Sequence, residues 1–446
     1  MVKKPTIINS ALLFLVFGVD RARIPSYSVS FQSTNCAMSL AFGRKFLSIP
    51  GPSVVPDRVL QAMHQASPNI YEGDLVDLVS SLYPDLRWVA ATQHDVVIYI
   101  GNGHAAWEGC LSNTLSRGDQ VLGLATGRFT LGWTEMAEAM GVEVDVLDYG
   151  NQLPVDANRL EARLRADTKA SIKAVLMVQT DTASSVSNDV LAARQAIDAA
   201  GHPALLMVDC IASLGCERFE MDAWGVDVMV AACQKGLMTP AGLGFNYVGP
   251  RAWEAHRQAD LKSAYWDWDR RVNGPLFYQQ FSGTAPTHHL FGLREALTML
   301  REEGLEPIWQ RHQVLAEAVW AAVSAWGAEA DGIRCNVEAV AHRSRAVTTI
   351  TTGSRDADRL RHWCEDQAGL TLGIGLALDN VLGDRPENLF RIGHMGHLNP
   401  PMLLGTLGTV DTGLKVLGYP HGQGAVEAAT ATIAQHMRSR EPQRNS

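Results

Sequence analysis

The stretch Ala204–Tyr247, ALLMVDCIASLGCERFEMDAWGVDVMVAACQKGLMTPAGLGFNY, decides how the chain folds. It holds two short apolar runs bounded by turn residues, Ala204–Val208 and Val226–Ala232, each with the length and composition of a buried strand. The first ends on a carboxylate, Asp209. The second passes through Cys233 and Gln234 to Lys235 and a loop containing Gly and Pro. In a parallel α/β sheet, ligands sit outside the carboxyl ends of the strands, so an Asp and a Lys at two such ends can face one site. A desolvated lysine has a lowered pKa and becomes a nucleophile toward carbonyl carbon. On spacing alone, a surface lysine after a strand and an aspartate capping a helix fit the same pattern.

Outward from this stretch, further strands are predicted at Val96–Ile100, Val121–Ala125, Val144–Leu147, Ala174–Val178 and Gly244–Val248. Helices fall between them, such as Asp189–Ala200 with Asn188 as its N-cap, and a short one follows Pro56 over Asp57–His64. Seven such strands alternating with helices predict a mainly parallel sheet covered on both faces. After Pro250 the pattern changes to long helices, Ala285–Glu303 and Ile308–Trp326, and then to short strands such as Ala346–Thr351. The expected organisation is an N-terminal extension (1–42), a large α/β domain (43–300) and a smaller α/β C-terminal domain (301–446).

At 446 residues, 46% hydrophobic and 19% charged, the composition is that of an ordinary globular protein. A net charge of −9 without a dense basic cluster argues against a nucleic-acid surface. The seven cysteines are scattered and odd in number, without metal-ligand spacing; this favours free thiols in a reducing, cytoplasmic compartment and no metal site. Lys3 and Lys4 precede an apolar run, Ala11–Val19, that is too short to span a bilayer and lacks a small-residue cleavage site after it. The expectation is that the chain proper starts at Met38, with an export signal as the alternative.

Enzymes of pyridoxal 5'-phosphate use the pair seen in the opening stretch: a lysine that condenses with the cofactor aldehyde, and an acid facing the pyridine nitrogen. VDCIASLG, MDAWGVDV and QKGLMTPAGLG closely resemble class V (fold type I) pyridoxal-phosphate-dependent aminotransferases, within them the serine–glyoxylate and alanine–glyoxylate group. The resemblance runs from about Gly43 to Thr412 and includes FLSIPGPSVVPDRVLQAMH, GLREALTML and FRIGHMGHLN. It implies Lys235 as the covalent lysine and proton carrier, and Asp209 as the partner of the pyridine nitrogen. It implies a homodimer acting on a small amino acid and a small 2-oxo acid, glyoxylate favoured.

Gly101-Asn-Gly-His follows a strand and opens a helix, a geometry that offers backbone N–H groups to a phosphate. By resemblance this is the phosphate cup, with Gly103 and His104 as donors and Asn102 in place of the usual serine. Phe129 falls where the family stacks an aromatic ring on the cofactor, and Thr182 where a Thr or Ser meets the ring hydroxyl. The Thr182 loop departs from the family pattern, with Gln179 for His, Asp181 for Glu and Ser185 for Gly. Gln234 is expected on the phosphate, and Thr284 on the phosphate of the neighbouring protomer, while Phe281 stands where some relatives carry a phosphate-binding Tyr. Arg391 matches the arginine that grips a substrate carboxylate through its planar fork. Ile70-Tyr71-Glu72 replaces the relatives' His-Arg-Ser segment, and Tyr71 is closer to pyridoxamine–pyruvate aminotransferases, which leaves the amino donor open.

Four rival functions share parts of this pattern. A lyase or desulfurase keeps the cofactor on the same fold, and a desulfurase needs a cysteine in a mobile loop near the site, which is not recognisable here. A cofactor-binding DNA regulator needs a basic domain before Gly43. A nicotinamide dehydrogenase built on Gly101-Asn-Gly-His-Ala-Ala leaves the Asp209/Lys235 pair unexplained. A decayed enzyme that binds cofactor but turns over poorly fits the altered 179–188 loop.

Overall fold

A computed structural model describes residues 39–328, 332–376, 378 and 387–438; the predictions about Met38 and the segment before it lie outside these. β1 (Phe46–Ser48) opens the described chain, and the seven strands of the larger sheet follow: β2 (Asp95–Gly101), β3 (Gln120–Ala125), β4 (Glu143–Asp148), β5 (Ile172–Val178), β6 (Leu205–Asp209), β7 (Val228–Ala232) and β8 (Gly242–Val248). Their order is β2-β8-β7-β6-β5-β3-β4. β3 to β7 run parallel, and β8 is antiparallel to both of its neighbours. Each predicted strand forms, with ends shifted by one or two residues.

Apolar runs make these strands because both faces are covered. Leu206, Val208, Met229 and Ala231 point into one hydrophobic cluster, while Leu205, Met207, Val228 and Val230 point into the cluster on the opposite face. The alternation is that of a strand, and burial on both sides removes any need for polar residues between.

The second sheet holds β9 (Ile333–Cys335), β10 (Val347–Thr352), β11 (Leu370–Ile374) and β12 (Leu389–Gly393), in the order β1-β11-β12-β10-β9. β1 pairs parallel with β11 in the register Phe46↔Leu370, so the leading segment joins this sheet. Helices Leu305–Gly327, Ala357–Ala368, Pro400–Val416 and Ala425–Arg438 contribute to its separate core.

Two local readings change. The helix Val190–Ala199 is capped by Asp189, whose carboxylate accepts from Ala192 N–H at 2.9 Å. Asn188 is instead used sideways, on Val155 N–H, Thr126 Oγ1 and the Val178 carbonyl. Helix Asp74–Val89 is an element absent from the sequence reading, and it carries Pro84 in its interior. Its buried stripe Leu75, Val79, Leu82, Leu86 and Val89 outweighs the roughly 3 kcal/mol that an interior proline costs.

Among the described residues, no helix is long and apolar enough to cross a membrane, and no cluster of His, Cys, Asp and Glu could hold a metal ion. The six cysteines among the described residues are buried and unpaired.

Candidate active site

β6 and β7 are neighbours, in register Asp209↔Val230, so the residues that follow them emerge side by side. Between them and helix Gly103–Thr114 lies a cavity of about 200 Å3, lined by Gly103, His104, Phe129, Thr182, Gln234 and Lys235 together with Asp209 and its neighbours. A larger open groove of about 740 Å3 runs past Glu217, Trp309 and Arg345 and holds none of the predicted site residues. The smaller cavity is the candidate because it sits at strand ends and gathers groups whose ionisation burial has displaced.

Asp209 is buried, and burial pushes its carboxyl up to about 7. Two donors work against that rise: Ile211 N–H on Oδ1 at 2.6 Å and the Trp107 indole N–H on Oδ2 at 2.8 Å. Lys235 is brought down to about 8, first by burial and then by the positive charge of Arg391. Its ammonium donates to the Pro50 carbonyl. Its own carbonyl accepts from Ser53 Oγ at 2.7 Å, and Ser53 N–H bonds the Gln234 carbonyl at 2.9 Å. Gly51, at φ +99°, is needed here: a Cβ would stand 2.3 Å from Lys235 Nζ.

The helix facing the strands starts at Gly103, where a Cβ would run into Ile211 at 2.3 Å. Asn102 caps it, its Oδ1 accepting from the N–H groups of His104 at 3.0 Å and Ala105 at 3.4 Å. The His104 backbone donor is therefore already engaged, leaving the Gly103 N–H and the His104 ring to meet a ligand. Gln234 Oε1 is buried without any hydrogen-bond partner among the described residues. Since an amide's oxygen and nitrogen are interchangeable by rotation, this is a polar group waiting for a ligand atom.

Phe129 is held from behind, its N–H bonding Asp181 Oδ2 at 2.8 Å. Asp181 also takes Ala183 N–H at 2.9 Å on Oδ1, so one buried carboxylate shapes both the Phe129 turn and the Thr182 loop. Arg391 lies in the middle of β12, paired with Thr349 and Gly373, and is not on the cavity wall. Its guanidinium donates to the carbonyls of Thr182 at 2.7 Å and Ile374 at 2.5 Å, and burial lowers it to about 10.

The remaining predicted residues are not gathered here within one chain. Tyr71 is 75% exposed in the loop before helix Asp74–Val89. Thr284 is exposed between a short 3-10 turn, Phe277–Phe281, and helix Thr287–Glu303. Phe281 is in the core. Sequence reasoning passed over Trp107, Pro50, Gly51 and Ser53. The signal for Trp107 was its place one turn after Gly103, on a helix that must face the strand ends.

The sequence profile of the family described as Aminotransferase class-V matches residues 86–384. The chain is 39% identical to a serine–glyoxylate aminotransferase of Methylorubrum extorquens, over 84% of this chain and 93% of that protein. It is 34% identical to an L-aspartate–glyoxylate aminotransferase of Paracoccus denitrificans, over 85% and 94%. The crystal structure of pyridoxamine–pyruvate aminotransferase from Mesorhizobium loti superposes with a TM-score of 0.79, at 24% identity, covering 88% of this chain and 97% of that one. With an α/β sheet whose strand ends carry Asp209 and Lys235, and with relatives alike over nearly their whole length, the chain belongs to the class-V aminotransferase family.

Proposed function

We propose that this protein is a pyridoxal 5'-phosphate-dependent aminotransferase that moves an amino group from a small amino acid to a small 2-oxo acid, glyoxylate favoured. The observation that carries the reading is the pairing of Asp209 and Lys235 at adjacent strand ends across one small cavity, each with its ionisation moved toward neutrality. The relatives' names support the acceptor, since serine–glyoxylate and aspartate–glyoxylate enzymes share glyoxylate and differ in donor.

The residues present fit the cofactor. The Gly103 N–H, the His104 ring and the unpartnered Gln234 amide would hold its phosphate at a helix N-terminus. Asp209 would face its pyridine nitrogen, the Phe129 ring would cover one face, and Thr182 would meet the ring hydroxyl. When bound, pyridoxal phosphate supplies an aldehyde for amino exchange and a ring that draws electrons. The chain supplies the rest. Lys235 Nζ would hold the cofactor covalently at its aldehyde carbon, and as the free amine, brought down to about 8, it can both take and return a proton near neutral pH. Arg391 orients the substrate carboxylate, Ser53 holds the backbone carbonyls of Gln234 and Lys235, and Gly51 leaves room for the Lys235 side chain. The reading includes a homodimer, in which Thr284 of one protomer reaches the phosphate held by the other.

A donor and acceptor screen on the purified protein tests this, following the visible absorbance of the bound cofactor. Serine, alanine, aspartate and pyridoxamine are the donors, and glyoxylate and pyruvate the acceptors. Loss of the absorbance with one donor and its return with glyoxylate is the expected result. A protein that takes up no cofactor, or whose absorbance no donor changes, overturns the reading.

A further inference from the structure

Trp107 occupies an unusual place for a residue that only packs. It is 1% exposed, yet it lines the cavity and aims its one polar atom at Asp209 Oδ2, 2.8 Å away. Around its ring stand three others: His104 at 4.5 Å between centroids, Phe129 edge-on at 6.3 Å, and Trp133 stacked at 5.9 Å. One side chain thus touches the acid at the end of β6, the imidazole at the helix N-terminus and the ring expected over the cofactor. We infer that Trp107 is a positioning residue whose indole N–H holds Asp209 ionised and aimed into the cavity, while its ring seats His104 and Phe129. This rests on the reading of Asp209 as the partner of the pyridine nitrogen.

The physical case is one of competing influences on a single carboxylate. Burial and the like charge of Asp181 favour the protonated acid. The positive charge of Lys235, the Ile211 N–H and the Trp107 N–H favour the carboxylate. The thiols of Cys110 and Cys210 also face Asp209, but burial raises both above the ordinary thiol range, so they stay neutral and contribute no charge. His104 stands across the Trp107 ring, with burial holding its pKa below the usual imidazole value. The two N–H donors stay on the carboxylate whatever the state of Lys235. Of these, Ile211 N–H is a backbone donor from two residues on, and Trp107 is the side chain that can be changed. A hydrogen bond to the charged form of an acid lowers its pKa, and one of this kind is worth about one unit or more.

Trp107→Phe removes the donor and keeps a ring, whereas Trp107→Gln keeps an N–H at the same number of bonds from Cα and removes the rings. In cofactor-free protein, the Asp209 carboxyl followed by 13C NMR should titrate about one pH unit higher in Trp107→Phe, and close to the wild-type midpoint in Trp107→Gln. In cofactor-loaded protein with 15N-labelled pyridine, the nitrogen should be protonated in the wild type and in Trp107→Gln. It should move toward the unprotonated position in Trp107→Phe. If Trp107→Phe is insoluble, Trp107→Met takes its place beside Trp107→Gln; the two are equally stripped of the ring and differ in the donor. An Asp209 midpoint and a nitrogen resonance that are the same with and without the donor overturn the inference, whatever happens to thermal stability. An unprotonated nitrogen in the wild type would instead remove the reading of Asp209, and the carboxyl titration would still decide whether Trp107 governs it.

Discussion

The ends of β6 and β7 and the middle of β12 carry the charges on which the proposed reaction depends, and the fold holds them in different ways. Asp209 ends β6 and Lys235 lies in the turn after the neighbouring β7, and both open onto a shared cavity, with two N–H donors behind the carboxylate and the Pro50 carbonyl accepting from the ammonium. Arg391 is tied at two of its nitrogens to peptide carbonyls from different sheets, Thr182 after β5 and Ile374 at the end of β11. The first pair depends on the register of a single sheet. The arginine's aim depends on how the Thr182 loop meets the second sheet, a junction where the Thr349 hydroxyl also bonds the Ala183 carbonyl at 2.8 Å. Changes at the strand ends should therefore remove chemistry, and changes around Arg391 should alter which acids are accepted.

The largest effect is expected from Lys235→Ala. Loss of the group that carries the proton should lower turnover by at least about 10³-fold. The fold should be untouched, because a buried lysine with a depressed pKa costs stability rather than contributing it. Borohydride reduction followed by peptide mapping should find cofactor on the Lys235 peptide in the wild type and none there in the variant. An adduct persisting on that peptide would remove the residue from its role.

Asp209→Asn sharpens the same side of the comparison. Without a negative charge facing the pyridine nitrogen, turnover should fall on the order of 10²-fold, two units of lost proton affinity being about 2.7 kcal/mol. The cofactor-free protein offers a second measurement with a definite sign. The folded pKa of Asp209 is raised to about 7, above the roughly 3.9 of an unfolded aspartate. Between those values the folded state holds a proton that the unfolded state has released, so its contribution to stability is present at low pH and lost as pH rises through 7. Denaturant midpoints at pH 5 and pH 8 should therefore differ more in the wild type than in Asp209→Asn. Equal differences would mean that the carboxyl is not raised. Lys235 acts in the opposite sense above pH 8, where the unfolded lysine still holds a proton that the folded one has lost.

The sequence made one side of this comparison legible and left much of the other hidden. Strands buried on both faces announce themselves as unbroken apolar runs, so β5, β6 and β7 and the residues just past them could be placed by inspection. The bonds that aim those residues could not. Trp107 meets Asp209 across 102 positions, and Arg391 meets Thr182 across 209, separations at which no local periodicity carries information. Helix Asp74–Val89 carries a conflicting local signal: Pro84 opposes a helix there, and the tertiary burial of its apolar stripe wins. The cap of helix Val190–Ala199 was misplaced by one residue because Asn188 and Asp189 are equally good caps by type. Only the demands of Val155, Thr126 and Val178 on Asn188 decide between them.

Arg391→Lys probes the junction between the sheets. Lysine keeps the charge but offers a point donor where a carboxylate and two carbonyls expect a planar fork. Exchanging a bidentate pair for one weaker bond should cost about 1.5–3 kcal/mol, roughly ten- to a hundredfold in kcat/KM for the acid. Both half-reactions should suffer if donor and acceptor each bind through a carboxylate. Loss confined to the acceptor half-reaction would point to a donor without one, pyridoxamine among them, and would bring Tyr71 back as its contact. Unchanged kinetics with every substrate would remove Arg391 from the site.

The smallest effect tests whether a single chain is the whole enzyme. Thr284 is exposed and absent from the cavity wall of its own protomer, so Thr284→Ala should leave the protomer's stability within about 0.5 kcal/mol. If the hydroxyl instead serves a second protomer, its loss removes one hydrogen bond to the phosphate. That is worth about 0.5–1.5 kcal/mol, or a two- to tenfold rise in the cofactor dissociation constant. A mixed dimer separates this from any effect within one chain. When Thr284→Ala is co-expressed with Lys235→Ala, the protomer that keeps Lys235 receives its threonine from the other, and one site per heterodimer is complete. Purified heterodimer should then bind cofactor covalently at that one site with wild-type affinity. Should affinity there stay as weak as in the Thr284→Ala homodimer, the threonine acts within its own chain or not at all, and the site is less dependent on a partner than the reading of Thr284 requires.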